Sequence, residues 1–304
     1  MKQTRRQFLT TASTAGAGIL LHGMTLPESN NVKAKEGFSL NIFATRWGFK
    51  GSIDDYCKQV KKEGYDGIEE WFPRNEVDEN ALYEALDKYN LKLGVLAGSG
   101  GNTFDAHQKS YAENLQKVIS KKPEFINCHA GKDYLSFQQK KLLIEFAVNA
   151  SKESGIPIYQ ETHRGRMLYA AHVCEEFIDV VPDLKLTLDI SHWCAVSESL
   201  LADQKQAVEK ALKRVGHVHS RIGHEEGPQV SEPRAPEWQR AVNAHYAWWD
   251  TIVNYKKQAG EPLTMTTEFG PANYMWSMPY TKQPLADQWA INVHMMNEWR
   301  KRYL

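Results

Sequence analysis

Cysteine is scarce. The chain has four in 304 residues, and Cys57, Cys128, Cys174 and Cys194 each stand alone. Without a Cys-x-x-Cys pair there is no disulfide scaffold and no thiolate zinc site. The four read as buried free thiols. Excess charge is missing as well: 37 Lys plus Arg balance 37 Asp plus Glu. A neutral chain lacks the basic surface that gives affinity for polyanions, so a nucleic-acid partner is not expected. A dinucleotide fingerprint is also absent. Gly98-x-Gly100 lacks the third glycine and the acidic residue that would follow, and it reads as a tight turn. No sequence repeat occurs beyond the strand–helix period. What is present is a 42% hydrophobic content, sufficient for a large core in one barrel or two smaller domains.

The N-terminus reads separately from the rest. Thr4-Arg5-Arg6-Gln7-Phe8-Leu9 precedes a mildly apolar, small-residue run at 11–21. A cationic start before such a run is the design of an export signal, and the paired arginines resemble a twin-arginine signal. The run is too short and too weakly apolar to span a bilayer, so no stable membrane span is expected in the mature protein. Residues 1–36 are assigned to this signal and its linker. The expected location is periplasmic or otherwise exported, with Val32-Lys33-Ala34 as a candidate small-residue cleavage site.

From residue 37 onward, apolar β-type runs alternate with helical patterns. Strands are expected at 38–45, 67–71, 92–96, 125–128, 158–161, 186–189, 215–219 and 263–268. Helices are expected at 52–63, 79–89, 104–121, 137–154, 168–181, 200–213, 237–259 and 285–303. Ser52 is a candidate N-cap, with Asp54 and Asp55 in the first turn, and Gly155 is a candidate C-cap. Strict alternation argues for a parallel α/β sheet. Eight units argue for its closed form, a single-domain (β/α)8 TIM barrel over 37–304. An open doubly wound sheet is the alternative.

The last four strands share a pattern. Ile158-Tyr159-Gln160-Glu161 runs into Thr162-His163-Arg164. Leu186-Thr187-Leu188-Asp189 runs into Ile190-Ser191-His192. Val215-Gly216-His217-Val218-His219 runs into Ser220-Arg221. Leu263-Thr264-Met265-Thr266-Thr267-Glu268 runs into Phe269-Gly270. Each strand ends in one residue able to bind a metal: Glu161, Asp189, His219 and Glu268. Carboxylate oxygens with one imidazole nitrogen suit a single hard or borderline divalent ion, Mn, Mg, Co or Zn. Barrel active sites sit at this end of the strands. His129 and Lys132 follow the fourth strand, and His163 and Arg164 follow the fifth. Trp47, Trp71, Trp193 and Trp276 follow strand ends and offer faces for a sugar ring. The long polar segment 223–236 reads as an ordered active-site loop able to cover the substrate.

With Asp-x-x-His on the sixth strand and His-x-His on the seventh, this set resembles the xylose isomerase-like superfamily. More narrowly, the chain over about 38–304 is similar to the sugar phosphate isomerase/epimerase group. The resemblance implies Glu161, Asp189, His219 and Glu268 as metal ligands and His192 as a substrate contact. Arg221 is the counterpart of a substrate-binding arginine, at a shorter spacing from the histidine. A small carbohydrate is then the partner, and assembly into a homo-oligomer is left open. Charge alone argues the chemistry. A divalent ion bound by a carbonyl and an adjacent hydroxyl stabilises an enediolate, and Glu161 and Glu268, from strands that are not neighbours, can remove and return a proton. Return to the same carbon is epimerisation, return to the next is isomerisation, and β-elimination is dehydration by a lyase. The ligand set does not choose among them. Two further readings are a phosphodiesterase of the endonuclease IV type and a sugar-binding barrel without turnover. The first would need additional histidines on early strands, and none occurs between His22 and His107.

Overall fold

The computed structural model describes residues 32–304. The twin-arginine stretch at Arg5 and Arg6 lies outside the described residues. Eight parallel strands pair in sequence order and close, β8 against β1, into the expected (β/α)8 barrel. The strands are β1 (Leu40–Thr45), β2 (Gly67–Trp71), β3 (Lys92–Gly98), β4 (Phe125–His129), β5 (Ile158–Glu161), β6 (Leu186–Leu188), β7 (Val215–His219) and β8 (Leu263–Thr267). Around them lie α1 (Ile53–Glu63), α2 (Glu76–Tyr89), α3 (Phe104–Ile119), α4 (Phe137–Ser154), α5 (Ala171–Val180), α6 (Ile190–Ser197), α7 (Lys205–Leu212), α8 (Gln239–Ala259) and α9 (Gln288–Tyr303). One contiguous apolar core fills the space between strands and helices.

The helix boundaries have local causes. Ser52 accepts from Asp55 N and starts α1, and Gly155 ends α4 with φ at +72°. α2 starts three residues earlier than expected because Asn75, not a later residue, accepts from Asp78 N. The expected helix at 200–213 is broken. Leu201 adopts a left-handed conformation, a short 3-10 turn covers Ala202–Gln204, and α7 begins at Lys205. α6 was not anticipated: its Ile-Ser-His-Trp run carries no periodic signal, and it starts because Asp189 caps it by accepting from Ser191 N at 3.1 Å.

The barrel interior is apolar and aromatic toward the strand starts. The Phe125 ring lies 5.1 Å from Phe43, edge to face, and 4.2 Å from His217. Glycine at position 94 makes room for this ring, since a Cβ there would collide with Phe125. The loop after β7 is tied to the outer shell by His245 of α8, whose Nε2 accepts from Gly223 N at 3.1 Å while Nδ1 faces Ala241 O at 2.8 Å.

Burial depresses the His245 pKa to about 4. Between the ordinary imidazole value of about 6.5 and about 4, the unfolded chain takes up a proton that the folded chain refuses, so stability is lost as pH falls through this window. The expected loss from His245 is on the order of 3 kcal/mol. Urea unfolding at about pH 7 and about pH 4 should show His245→Gln losing that much less than wild type, because glutamine keeps both hydrogen-bonding functions without titrating.

Candidate active site

Alternate residues of each strand point inward. Glu69 and Trp71 of β2, Asn127 and His129 of β4, Tyr159 and Glu161 of β5, and His217 and His219 of β7 therefore share the barrel interior. Contacts between strands that are not neighbours confirm it, such as Asn127 Nδ2 to His219 Nε2 at 3.2 Å. Above them opens a cavity of about 390 Å³ lined by Trp47, Trp71, His129, His163, Arg221 and Glu268 among others.

Glu161, Asp189, His219 and Glu268 converge at the cavity floor, each offering an atom within 4.8 Å of the others. His219 Nδ1 lies 2.9 Å from Glu268 Oε2 and 3.7 Å from Glu161 Oε1. These three atoms are buried and make no hydrogen bond. Asp189 differs: Oδ1 accepts from Ser191 N and Ser191 Oγ, and Oδ2 pairs with Arg221 Nη2. A carboxylate oxygen has a second lone pair, so that pairing leaves room for an ion. Charge points the same way. Four carboxylates, Glu69, Glu161, Asp189 and Glu268, face one guanidinium, Arg221, and the imidazole of His219 in a largely dry interior. Uncompensated buried charge is costly. The orphaned ligand atoms and the charge imbalance both fit a divalent cation held by these four residues.

The surrounding side chains set the protonation states. Burial raises the Glu161 carboxyl, but His129 and His219 beside it reverse this and hold it well below the usual range. Burial likewise opposes Glu268, and His219 and Arg221 bring it below its ordinary value. Burial pushes His163 down to about 4 and His192 well below the ordinary value, so both are neutral near neutral pH.

The sequence-derived candidates separate on placement. His129 Nε2 pairs with Glu161 Oε2. The His163 ring sits 3.9 Å from the His192 ring and 5.3 Å from that of His129, completing an imidazole wall. Arg221 bridges Asp189 and Glu268, the latter at 3.2 Å, and stacks on Tyr274 at 4.6 Å. Trp47 lines the cavity and packs over Gly270, where any Cβ would collide with its indole. Trp71 lines the other side against His129, ring centroids 5.3 Å apart. Trp193 is a correction. It is fully buried, its Nε1 donates to Leu168 O at 2.9 Å, and it packs in the core behind the site, because α6 turns it away from the barrel axis. Trp276 packs with Trp238 and His224 outside the cavity lining. The segment 223–236 is ordered and is tied to Gly270 through Gln229, but it does not line the cavity.

Several residues at the site were not singled out by the sequence, Arg46 and Glu70 at the cavity rim among them. Glu69 lies within 3.0 Å of His219 and 3.3 Å of His217. Asn127 Nδ2 donates to Glu69 Oε1 at 3.1 Å and to Glu161 Oε2 at 2.8 Å. Both carry a signal that reading only strand ends passes over, namely a polar side chain inside an apolar strand at an inward position. Tyr274 follows β8 by several residues, and nothing in its sequence context marks it.

By sequence the chain matches no protein-family profile and no curated protein. Solved structures do match. A 3-keto-D-glucoside 4-epimerase from E. coli is 12% identical, with TM-score 0.57, over 86% of this chain and 100% of that one. A probable 3-DHS dehydratase of petrobactin synthesis from Bacillus anthracis is 16% identical, TM-score 0.56, over 87% and 100%. A D-allulose 3-epimerase from Methylomonas sp. is 16% identical, TM-score 0.55, over 89% and 100%. At these identities the likeness is one of fold, a (β/α)8 barrel.

Elemental analysis of protein purified without added metal tests the cage. Wild type should carry close to one divalent ion per chain, and the Glu161→Ala, Asp189→Ala double variant should carry almost none.

Proposed function

We propose that the chain is a divalent-metal-dependent isomerase or epimerase acting on a sugar, keto-sugar or cyclitol. The observation that carries this reading is the pair Glu161 and Glu268. They come from β5 and from the end of β8, face His219 Nδ1 from two sides, and each keeps a buried oxygen free of hydrogen bonds. A divalent ion held by Glu161, Asp189, His219 and Glu268 would supply Lewis acidity to a carbonyl and its neighbouring hydroxyl.

The chain's own groups do the rest. One carboxylate takes the proton from the carbon beside the carbonyl, and the other, first protonated from solvent, returns that proton from the opposite side. Both carboxyls titrate below their ordinary values, so either can be the ionised base at neutral pH. Arg221, fully buried, presents fixed positive charge where oxygen charge develops. His129 and His163 offer hydrogen-bonding groups to hydroxyls, with His192 packed behind His163, and Trp47 and Trp71 offer apolar faces to the C–H side of a ring. The epimerase activities named for two of the fold relatives, and the dehydratase activity named for a third, are outcomes the same two carboxylates can serve.

The test is uptake of solvent deuterium into a panel of ketoses, keto-sugars and cyclitols, followed by mass spectrometry. Wild type should exchange one substrate proton. Glu161→Gln and Glu268→Gln should each slow exchange by about 10² to 10⁴-fold. Retained exchange in either variant removes that carboxylate from proton transfer, and metal binding with no exchange on any substrate favours a sugar-binding barrel.

Export is proposed with it, on the Arg5-Arg6-Gln7-Phe8-Leu9 stretch. In a bacterium with a twin-arginine system, wild type should fractionate to the periplasm. Arg5→Lys, Arg6→Lys should stay in the cytoplasm, as read by immunoblot of the fractions.

A further inference from the structure

The cage has a floor, and the floor contains a carboxylate that reaches the cavity's base and is engaged by the two histidines of β7. Glu69 is 2% exposed and sits in the middle of β2. Its Oε2 lies 3.0 Å from His219 Nε2 and 3.3 Å from His217 Nε2, and its Oε1 lies 3.2 Å from His219 Nε2. Asn127 Nδ2 holds Oε1 from the β4 side at 3.1 Å. His217 is itself pinned, with Nδ1 2.7 Å from Thr264 Oγ1 and Nε2 3.2 Å from Thr266 Oγ1. The carboxylate is therefore held from β4 and β7.

The consequence falls on His219. Its imidazole has two nitrogens and two different neighbourhoods. Nε2 faces Glu69, while Nδ1 faces Glu268 and Glu161. Without an ion both nitrogens face carboxylates. A divalent cation in the cage would take the place of a proton at Nδ1, and an ionised carboxylate can only accept, so the remaining proton would sit on Nε2 toward Glu69. The Asn127 amide, 3.2 Å from Nε2, directs its two hydrogens to Glu69 and Glu161 instead.

We infer that Glu69 is a positioning residue that locks His219 in the Nε2–H form and so presents Nδ1 to a divalent cation. Asn127 extends the device: the same amide nitrogen that holds Glu69 also donates to Glu161 Oε2 at 2.8 Å, so one side chain sets the spacing of the histidine's support and of a second ligand. A carboxylate behind a ligating histidine fixes its ring and raises its basicity. This rests on the metal-binding reading proposed above and extends it to residues with no direct part in coordination.

Cobalt(II) titration with the whole chain tests the inference. Wild type and Glu69→Gln are titrated with Co²⁺ against a chromophoric chelator. Proton NMR of the loaded proteins, in water and in deuterium oxide, then looks for a paramagnetically shifted, solvent-exchangeable imidazole N–H, assigned by its loss in His219→Ala. Wild type should show this resonance in slow exchange, as Nδ1 ligation with Nε2–H held by Glu69 requires. Glutamine keeps the shape but can donate or accept, so Glu69→Gln should bind Co²⁺ about 10 to 100-fold more weakly, with faster exchange of that proton. Unchanged affinity and unchanged exchange in Glu69→Gln overturn the inference while leaving the metal site standing. If wild type binds Co²⁺ but its His219 N–H is lost to rapid exchange with solvent, Glu69 does not hold that proton and the inference fails even where the variant does not fold. A wild type that takes up no Co²⁺ overturns the metal reading, and this inference with it.

Discussion

Buried negative charge is the constraint on which the rest of this molecule depends. Carboxylates from β2, β5 and the ends of β6 and β8 enter one barrel interior, against one guanidinium and a set of imidazoles. In a low-dielectric interior each such group must be hydrogen-bonded, paired or neutralised. The lower members achieve this within the protein, through Asn127, His217 and the hydroxyls of Thr264 and Thr266. The upper members achieve it only in part, Glu161 through His129 and Asp189 and Glu268 through Arg221. Glu161, His219 and Glu268 each keep one atom without a hydrogen bond, and those atoms face one another. The unresolved part of the charge problem is thus concentrated at the cavity, which is where function is argued to lie.

The barrel separates stability from chemistry along its axis. Toward the strand starts, Phe43, Phe125 and Tyr159 fill the interior with rings, and Gly94 provides the space. Two residues further along the same strands, the inward positions become Asn127 and Glu161, and two further still they become His129 and the half-buried His163. The period of two that orders a strand therefore also stacks an aromatic plug, a polar floor and a reactive layer. His217, His219 and Arg221 repeat the sequence on β7. Arg221, above the cage, is the link between layers, since it pairs with Asp189 and Glu268 and stacks on Tyr274.

The solved relatives share this architecture at 12% to 16% identity. A barrel tolerates such divergence because its closure needs only alternation, strand length and interior volume. Function has to be argued from the site. Here the site is two carboxylates around one imidazole, above a floor that faces the other imidazole nitrogen.

Much of this was legible in the chain. Alternating strand and helix patterns, Ser52 and Gly155 as caps, and four strands ending in Glu161, Asp189, His219 and Glu268 each depend on local physics: period, capping and the position of a ligand-type residue after an apolar run. α6 and the break at Leu201 were not legible, because one depends on Asp189 serving as a cap and the other on a left-handed backbone with no glycine to announce it. Trp193 looked like a pocket residue because it follows a strand, and the direction of α6 sends it into the core instead. The sequence by itself determined a closed α/β barrel and the kinds of ligand at its mouth, since both follow from the order of residues along each strand. Only the tertiary structure decided that Glu69 and Asn127 stand under His219, that Arg221 bridges two carboxylates, and which side each imidazole nitrogen faces. Those contacts join β2, β4, β7 and β8 across the barrel, and distance through the interior is not written in distance along the chain.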